Sequence, residues 1–443
     1  MKGIKVEPTL PVLSEKHSIA NFYSSYMKLL LIHPYFPYRG KDLFPLGLGY
    51  IASAARKYAE IRVIDEIVHP FTREEFRAFD PDFVGITATT PSFNRAEKII
   101  SIIKKEKPSA KVIFGGVHVT FKPEKALNAG ADIVVRGEGE EAFVEILSDK
   151  ALEDIKGISY HRNKEIINNP DRDLIEDLDS IPMPAWEFFP MKEYKIMSLV
   201  SARGCPYSCA YCSASSFWQH RVRFRSPENF MTEVRALYNM GKKRLRFMDS
   251  TFTLDRKRAL EICSMIEEEG FKDFKYSIET RADHLDKELF EALRNSGCDL
   301  VCLGVDSGSQ QVLDACNRKV DVEEVKMAIL MAKQYGLNVR AYVTYGFPGE
   351  SRENVEATVR LLRETRPQQI LLSLATIYPG TELEGGKEIK VHPNWVEKFH
   401  GHGYGAELYF PETLERKEYT KLGDYIYREI KKLNKMVIKE RAG

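Results

Sequence analysis

Three of the chain's seven cysteines fall within eight residues, in the stretch SARGCPYSCAYC that begins at Ser201. Cys205, Cys209 and Cys212 are separated by three residues and then by two. Clustered thiols in a polar, turn-like segment point to metal binding, and two chemistries compete for them. A structural zinc site takes four protein ligands, for which His220 is the conceivable fourth. An iron–sulfur cube takes one thiolate per iron, so three thiolates leave one iron open to an outside ligand. An open metal corner binds a reactant directly, which a saturated one cannot do. The other four cysteines offer no fourth ligand: Cys263 sits in a helical pattern, Cys298 and Cys302 flank a strand-like run, and Cys316 follows a helix. Each reads as a buried small hydrophobe.

The elements around the loop decide what it faces. It follows the first of six strand-like runs: YKIMSLVSARG, KRLRFMDSTF, FKYSIETRA, CDLVCLGVDSG, NVRAYVTYGFPG and QILLSLATIYPG. Most lead into a helical pattern such as RALEICSMIEEEG. Six such units over 195–387 imply a partial (βα)6 barrel of the TIM type, with its active face at the strand C-termini. Upstream, over 27–150, MKLLLIHP, IRVIDE, DFVGITAT, AKVIFGG and ADIVVRGE alternate with helical segments such as AEKIISIIKKE. That alternation implies a Rossmann-like α/β domain, its parallel sheet covered on both faces. Ligands of such sheets sit beyond the strand C-termini. Thr87, Thr89, Gly115, Gly116, His118, Gly137 and Glu138 lie there, and three polar or Gly-rich ends in succession favour a ligand crevice over turn-making alone. Residues 1–26 read as an extension, 151–194 as a connector with a small hairpin, and 388–443 as a C-terminal helical region.

Composition narrows the class. The 65 Lys and Arg nearly cancel the 64 Asp and Glu, so the net charge of +1 gives no support to a broad nucleic-acid-binding face. The first twenty residues lack the continuous apolar stretch of a signal peptide. No apolar run approaches the roughly eighteen residues of a membrane span. An odd cysteine count with a tight cluster argues against a secreted disulfide framework. The expectation is a cytoplasmic enzyme.

The CxxxCxxC spacing, Tyr211 before the last cysteine and the partial barrel after it resemble the radical S-adenosylmethionine (SAM) superfamily. The resemblance implies a 4Fe-4S cluster on Cys205, Cys209 and Cys212, whose open iron is chelated by the amino and carboxylate groups of SAM. Reduction then cleaves SAM to a 5′-deoxyadenosyl radical, with protein groups supplying binding and orientation. Motif by motif, FMDSTF places Asp249 at the amino group of SAM, with Ser250 where many relatives carry a second acid. IETRAD implicates Glu279 and Arg281 in ribose and carboxylate contacts. LGVDSGS carries Asp306 where Glu is usual. YGFPGES, with Gly346 and Pro348, resembles the adenine-side strand end, and YPGTEL a late barrel turn.

The first domain is similar to the cobalamin-binding domains that precede such barrels in one large subgroup, through FPLGLGYIASAAR, GITATT, GGVHVT and RGEGEEAF. On that resemblance the strand-end residues from Thr87 to Glu138 become cobalamin contacts. Some cobalamin proteins carry Asp-x-His-x-x-Gly, whose His replaces the lower ligand of cobalt. Here Leu31 stands where the Asp belongs, so His33 reads as a loop residue. An empty lower face would favour Co(I), which accepts a methyl cation from SAM. The implied reaction is methylation of an unactivated carbon, with SAM supplying both the radical and the methyl group. An external electron donor and a small-molecule, lipid or peptide substrate complete it. The alternatives are a cyclisation, rearrangement or carbon–carbon coupling without methyl transfer, and a non-catalytic iron–sulfur or zinc protein. HGHGYG from His400 reads as a lid or ordinary loop ahead of a metal site.

Overall fold

Short apolar runs such as LLLI have no polar face to turn toward water, so they form strands covered on both sides. The structure, a computed structural model, describes residues 27–36, 44–391 and 407–442. Five of these runs become β1 (Met27–His33), β2 (Ala59–Asp65), β3 (Phe83–Thr87), β4 (Lys111–Gly115) and β5 (Ile133–Val135). They pair in parallel in the order β2-β1-β3-β4-β5. Leu30, Ile32, Val84, Val112 and Phe114 are wholly buried at their centres. The chain reverses direction across the sheet between β1 and β3, and the crevice such a reversal opens lies beyond the strand C-termini.

The first sheet runs past the boundary expected at residue 150. The hairpin β6 (Ile158–Arg162) and β7 (Glu165–Asn168) adds to it antiparallel beside β5. The rest of the connector is packed between the two domains, with Trp186, Phe189 and Tyr194 buried. Phe44 meets Phe189 and Tyr194 edge-on, and the Tyr194 hydroxyl donates to Asp65 Oδ2 at 2.9 Å.

The second sheet begins with β8 (Met197–Leu199). A short antiparallel ribbon, β9 (Ala202–Gly204) and β10 (Val222–Phe224), stands beside it. Then come β11 (Arg244–Phe247), β12 (Lys275–Thr280), β13 (Cys298–Asp306), β14 (Asn338–Tyr345) and β15 (Gln369–Leu374). All six main strands are parallel in the order β15-β14-β13-β12-β11-β8, an open partial barrel. Cys298 and Cys302 lie inside β13 and do not flank it, because the apolar run continues through both. The helices that follow start on side-chain caps: Ser226, Asp255, Asp286, Asp321 and Ser351 each accept a first-turn backbone N–H.

Leu408–Tyr409 pairs antiparallel with Glu388–Ile389, and the helix Arg416–Ala442 closes the barrel's open edge. Asn434 donates to Ile370 O at 2.9 Å and accepts from Ile370 N at 2.8 Å, so it occupies backbone groups that the edge strand β15 would otherwise expose. The N-terminal extension and the HGHGYG loop fall outside the described residues. Among the described residues no helix is long and apolar enough to cross a membrane.

Candidate functional site

The cysteine loop leaves β9 through Gly204, whose φ of +113° and tight contact leave no room for a side chain. A Cβ there would sit 1.9 Å from Arg221 O. The loop is then held by backbone: Ala210 N donates to Cys316 O (2.9 Å), Leu383 N to Ala210 O (3.2 Å) and Cys212 N to Cys209 O (3.0 Å). Asn317 donates from its side chain to Ser208 O at 2.8 Å. All seven cysteines are free thiols, the clustered three half-buried and the other four buried. Burial pushes the Cys212 thiol up to about 11 and raises that of Cys209, against the pull of Arg318 and Arg281. Such thiols need a metal's positive charge to become thiolates, and binding releases their protons. Among the described residues no three His, Cys, Asp or Glu side chains are grouped closely enough to hold one metal ion. His220 lies 3.3 Å from Ser208 Oγ through Nδ1. A single zinc needs four convergent ligands; three spread thiols suit a cluster with one ligand on each iron. On this donor set the loop fits an iron–sulfur cube.

Charged residues surround the loop. The Tyr211 hydroxyl donates to Asp306 Oδ2 at 2.8 Å, and Arg318 Nε donates to the same oxygen at 2.6 Å. Asp306 has φ +59°, a conformation Asp tolerates better than most residues, and the β13–β14 register shifts beside it. The Tyr211 and Phe347 rings lie 4.6 Å apart. Arg281 grips Asp283 and donates to Arg318 O (3.1 Å) and Lys319 O (2.7 Å), with its guanidinium 3.6 Å from the centre of the Tyr207 ring. Tyr207 also hydrogen-bonds to His284. Tyr211, Arg281 and Asp306 therefore gather around the cysteines.

The other SAM-motif residues have different partners. Asp249 is 1% exposed, and its Oδ1 accepts from Ser201 N (2.9 Å), Ser201 Oγ (3.0 Å) and Ala202 N. It thereby fixes the turn that leads into the cysteine loop, while its Oδ2 has no partner. Desolvation pushes this carboxyl up to about 6. Glu279 pairs with Arg246, which also donates to the Tyr342 hydroxyl at 2.8 Å. Gly346 is covered by Tyr419: a Cβ there would lie 2.6 Å from the tyrosine oxygen. Pro348 is half-buried.

Opposite the loop, the first domain presents its own strand ends. Thr87, Gly115, Gly116, Gly137 and Glu138 line a cavity of about 320 Å³ that is completed by Ala202, Gly204, Trp218, Met248 and Ser250 of the barrel. Gly47 and Gly137 also line it, and a Cβ on either would meet nothing within 4 Å. Apolar walls with glycine openings at the sheet's reversal point suit one face of a bulky cofactor such as cobalamin. Glu138 lines the cavity and is at the same time engaged across the domains. It accepts from Arg203 at 2.5 Å, from Arg223 at 2.7 Å and from Ile175 N at 2.8 Å, all out of water. Arg203 also reaches Glu140 at 2.6 Å and lies over the Tyr50 ring. Glu138 is thus a clamp between domains that also lines the cavity. Thr89 and His118 do not line this cavity and line a second one. His33 ends β1 and is no loop residue: its Nδ1 lies 2.8 Å from Asp65 Oδ1 on the neighbouring strand.

Sequence reasoning missed Arg203, Arg223 and Arg318. The signal for Arg223 was present: HRVRFRS places Arg221, Arg223 and Arg225 on one face of a strand, and each meets an acid, Glu176, Glu138 and Glu233. Arg318 carries no such pattern, because its partner Asp306 is reached only through the fold.

Two parallel sheets facing each other at their C-terminal ends, one with an open-cornered thiol trio and one with a cofactor-sized cavity, define a two-cofactor radical enzyme. Comparison with known proteins agrees. Residues 199–362 match the radical SAM superfamily and residues 33–147 the B12 binding domain. An uncharacterized methyltransferase of Pyrococcus horikoshii is 35% identical over 355 residues, which span 76% of this chain and 77% of that one. An anaerobic magnesium-protoporphyrin IX monomethyl ester cyclase of Cereibacter sphaeroides is 30% identical, over 81% of this chain and 63% of its own. The radical SAM methyltransferase TsrM of Kitasatospora setae, solved with cobalamin and a 4Fe-4S cluster, shares the fold at TM-score 0.76 and 17% identity, with 91% of each chain covered. The chain belongs to the radical SAM superfamily, among its cobalamin-binding, methyltransferase-like members.

Proposed function

We propose that the chain methylates an unactivated carbon of a small molecule, consuming SAM both to activate that carbon and to supply the methyl group. One observation carries this reading. The clamp of Glu138 with Arg203 and Arg223 fixes the cofactor cavity of the first domain against the ribbon that ends in the cysteine loop. Proximity is what such a transfer needs, since an activated carbon left waiting reacts elsewhere. When bound, the cluster supplies the electron that cleaves SAM, and cobalamin supplies methyl-carrier chemistry.

The chain's own residues do the rest. Cys205, Cys209 and Cys212 would each hold one iron. Tyr211, held by Asp306, walls the SAM side with Phe347, and Arg318 and Arg281 place positive charge beside the loop. Asp249 aims the loop through Ser201 and Ala202 and keeps one unpaired acceptor. Glu279 with Arg246 and Tyr342 fixes the barrel face behind. Thr87, Gly115, Gly116 and Gly137 would line the cobalamin.

Per methyl transferred, two SAM and two electrons from an external donor yield methylated product, S-adenosylhomocysteine, methionine and 5′-deoxyadenosine. Turnover with a carbon substrate should therefore release S-adenosylhomocysteine and 5′-deoxyadenosine in comparable amounts. 5′-Deoxyadenosine without S-adenosylhomocysteine would instead support a cyclisation, a reading favoured by the cyclase among the relatives.

A further inference from the structure

The second cavity lies on the same seam as the first but is a different chemical environment. It measures about 320 Å³ and is lined by Thr90, Pro91, Val117 and His118 of the first domain and by Ser213 and Tyr378 of the barrel, among others. Ser213 directly follows Cys212, so this cavity opens one residue from the cysteine trio. The domains are pinned beside it. Lys122 pairs with Glu384 at 2.5 Å, and Phe121 approaches Gly380 so closely that a Cβ there would lie 2.4 Å from its ring.

Among the described residues no lining side chain is an acid, a lysine or an arginine, although Lys122, Lys125 and Glu384 act on His118 from outside the lining. The one titratable imidazole, His118, is 5% exposed and stacks on Phe93, with burial pushing it down to about 4. It is neutral at physiological pH. Its Nδ1 lies 3.0 Å from Thr90 Oγ1, which fixes the ring, while its Nε2 is buried without any hydrogen-bond partner. A buried polar atom left unpaired is costly, and in native proteins it marks a missing partner. Phe36, Pro91, Val117 and Pro379 supply apolar wall, and the uncharged polar groups of Thr89, Thr90, His118, Ser213 and Tyr378 lie among them, the mix of a small-molecule site.

We propose that this second cavity receives the reacting part of the substrate, and that this part is an uncharged, largely apolar carbon skeleton presenting one hydrogen-bonding group to His118 Nε2. The word substrate rests on the methyl-transfer reading above; the cavity and its preference for neutral ligands do not. A charged head at this end would meet no counter-ion among the described lining residues and would be costly to desolvate.

The test is photo-crosslinking of the anaerobically reconstituted holoenzyme with benzophenone, an uncharged aromatic ketone bearing one acceptor oxygen. Insertion should map by peptide mass spectrometry to the segments around Val117 and Tyr378. It should fall about fivefold in His118→Leu, the loss of one net hydrogen bond. His118→Gln, which keeps a polar head, should restore it. 4-Benzoylbenzoate, the same shape with one negative charge, should label weakly. Equal labelling of His118→Leu, equal labelling by the carboxylate, or no insertion at these segments would overturn the proposal. Labelling seen only in protein stripped of cobalamin would also overturn it, by giving the cavity to the cofactor. Labelling without any methylated product in turnover would leave the cavity's assignment standing and strike only the methyl-transfer reading.

Discussion

The two sheets point their C-terminal ends at one seam, yet the side chains they place there are opposite in kind. The first domain offers glycines and a hydroxyl: Thr87, Gly115, Gly116 and Gly137 around one cavity. The barrel offers charge: Asp249, Glu279, Arg281, Asp306 and Arg318, engaged by hydrogen bonds or ion pairs before any ligand arrives. An uncharged, glycine-lined end accommodates bulk by leaving space, whereas a network of fixed charges preorganises a polar ligand with little rearrangement. The difference teaches where each cofactor belongs: the bulky macrocycle against the first sheet, the zwitterionic SAM against the second. Glu138 is the most instructive exception, a buried acid of the first domain whose oxygens are taken by the barrel's own arginines, with Glu140 beside it on Arg203.

That exception gives the largest expected effect. Glu138→Ala would leave Arg203 and Arg223 buried without their shared carboxylate, a loss of about 3–5 kcal/mol in chemical denaturation. A loss below about 1 kcal/mol would mean that the clamp is solvated and that the contrast between the two ends is weaker than drawn. The smaller effect sharpens the contrast. Gly47→Leu extends a side chain into open space in the first cavity. It should weaken cobalamin retention about tenfold, equivalent to ~1.4 kcal/mol, while iron and sulfide contents stay at wild-type values. Equal cobalamin retention would show that the macrocycle lies elsewhere.

Much of this was legible in the amino-acid order. Both parallel sheets follow from apolar runs ending in turn residues, and the thiol trio from spacing alone. What was not legible is where side chains go once the sheets face each other. RGEGEEAF reads as a strand-end turn, and nothing in it says that Glu138 reaches arginines 65 and 85 positions away. Asp249 sits where a SAM contact is expected, yet most of its bonds are to the Ser201–Ala202 turn, because burial makes a free carboxylate costly and the nearest unpaired donors are backbone. His33 illustrates the same limit in reverse. Its neighbour on the adjacent strand, Asp65, decides its role, and strand pairing is not written in the local sequence.

The central claim, one chain holding an open-cornered iron–sulfur cluster and a cobalamin across a single seam, is tested most directly by metal, sulfide and cobalamin analysis of the anaerobically prepared protein. The expected result is four iron and four acid-labile sulfide together with about one cobalamin per chain, with iron and sulfide lost in Cys205→Ala, Cys209→Ala or Cys212→Ala and cobalamin retained. Zinc without acid-labile sulfide would contradict it.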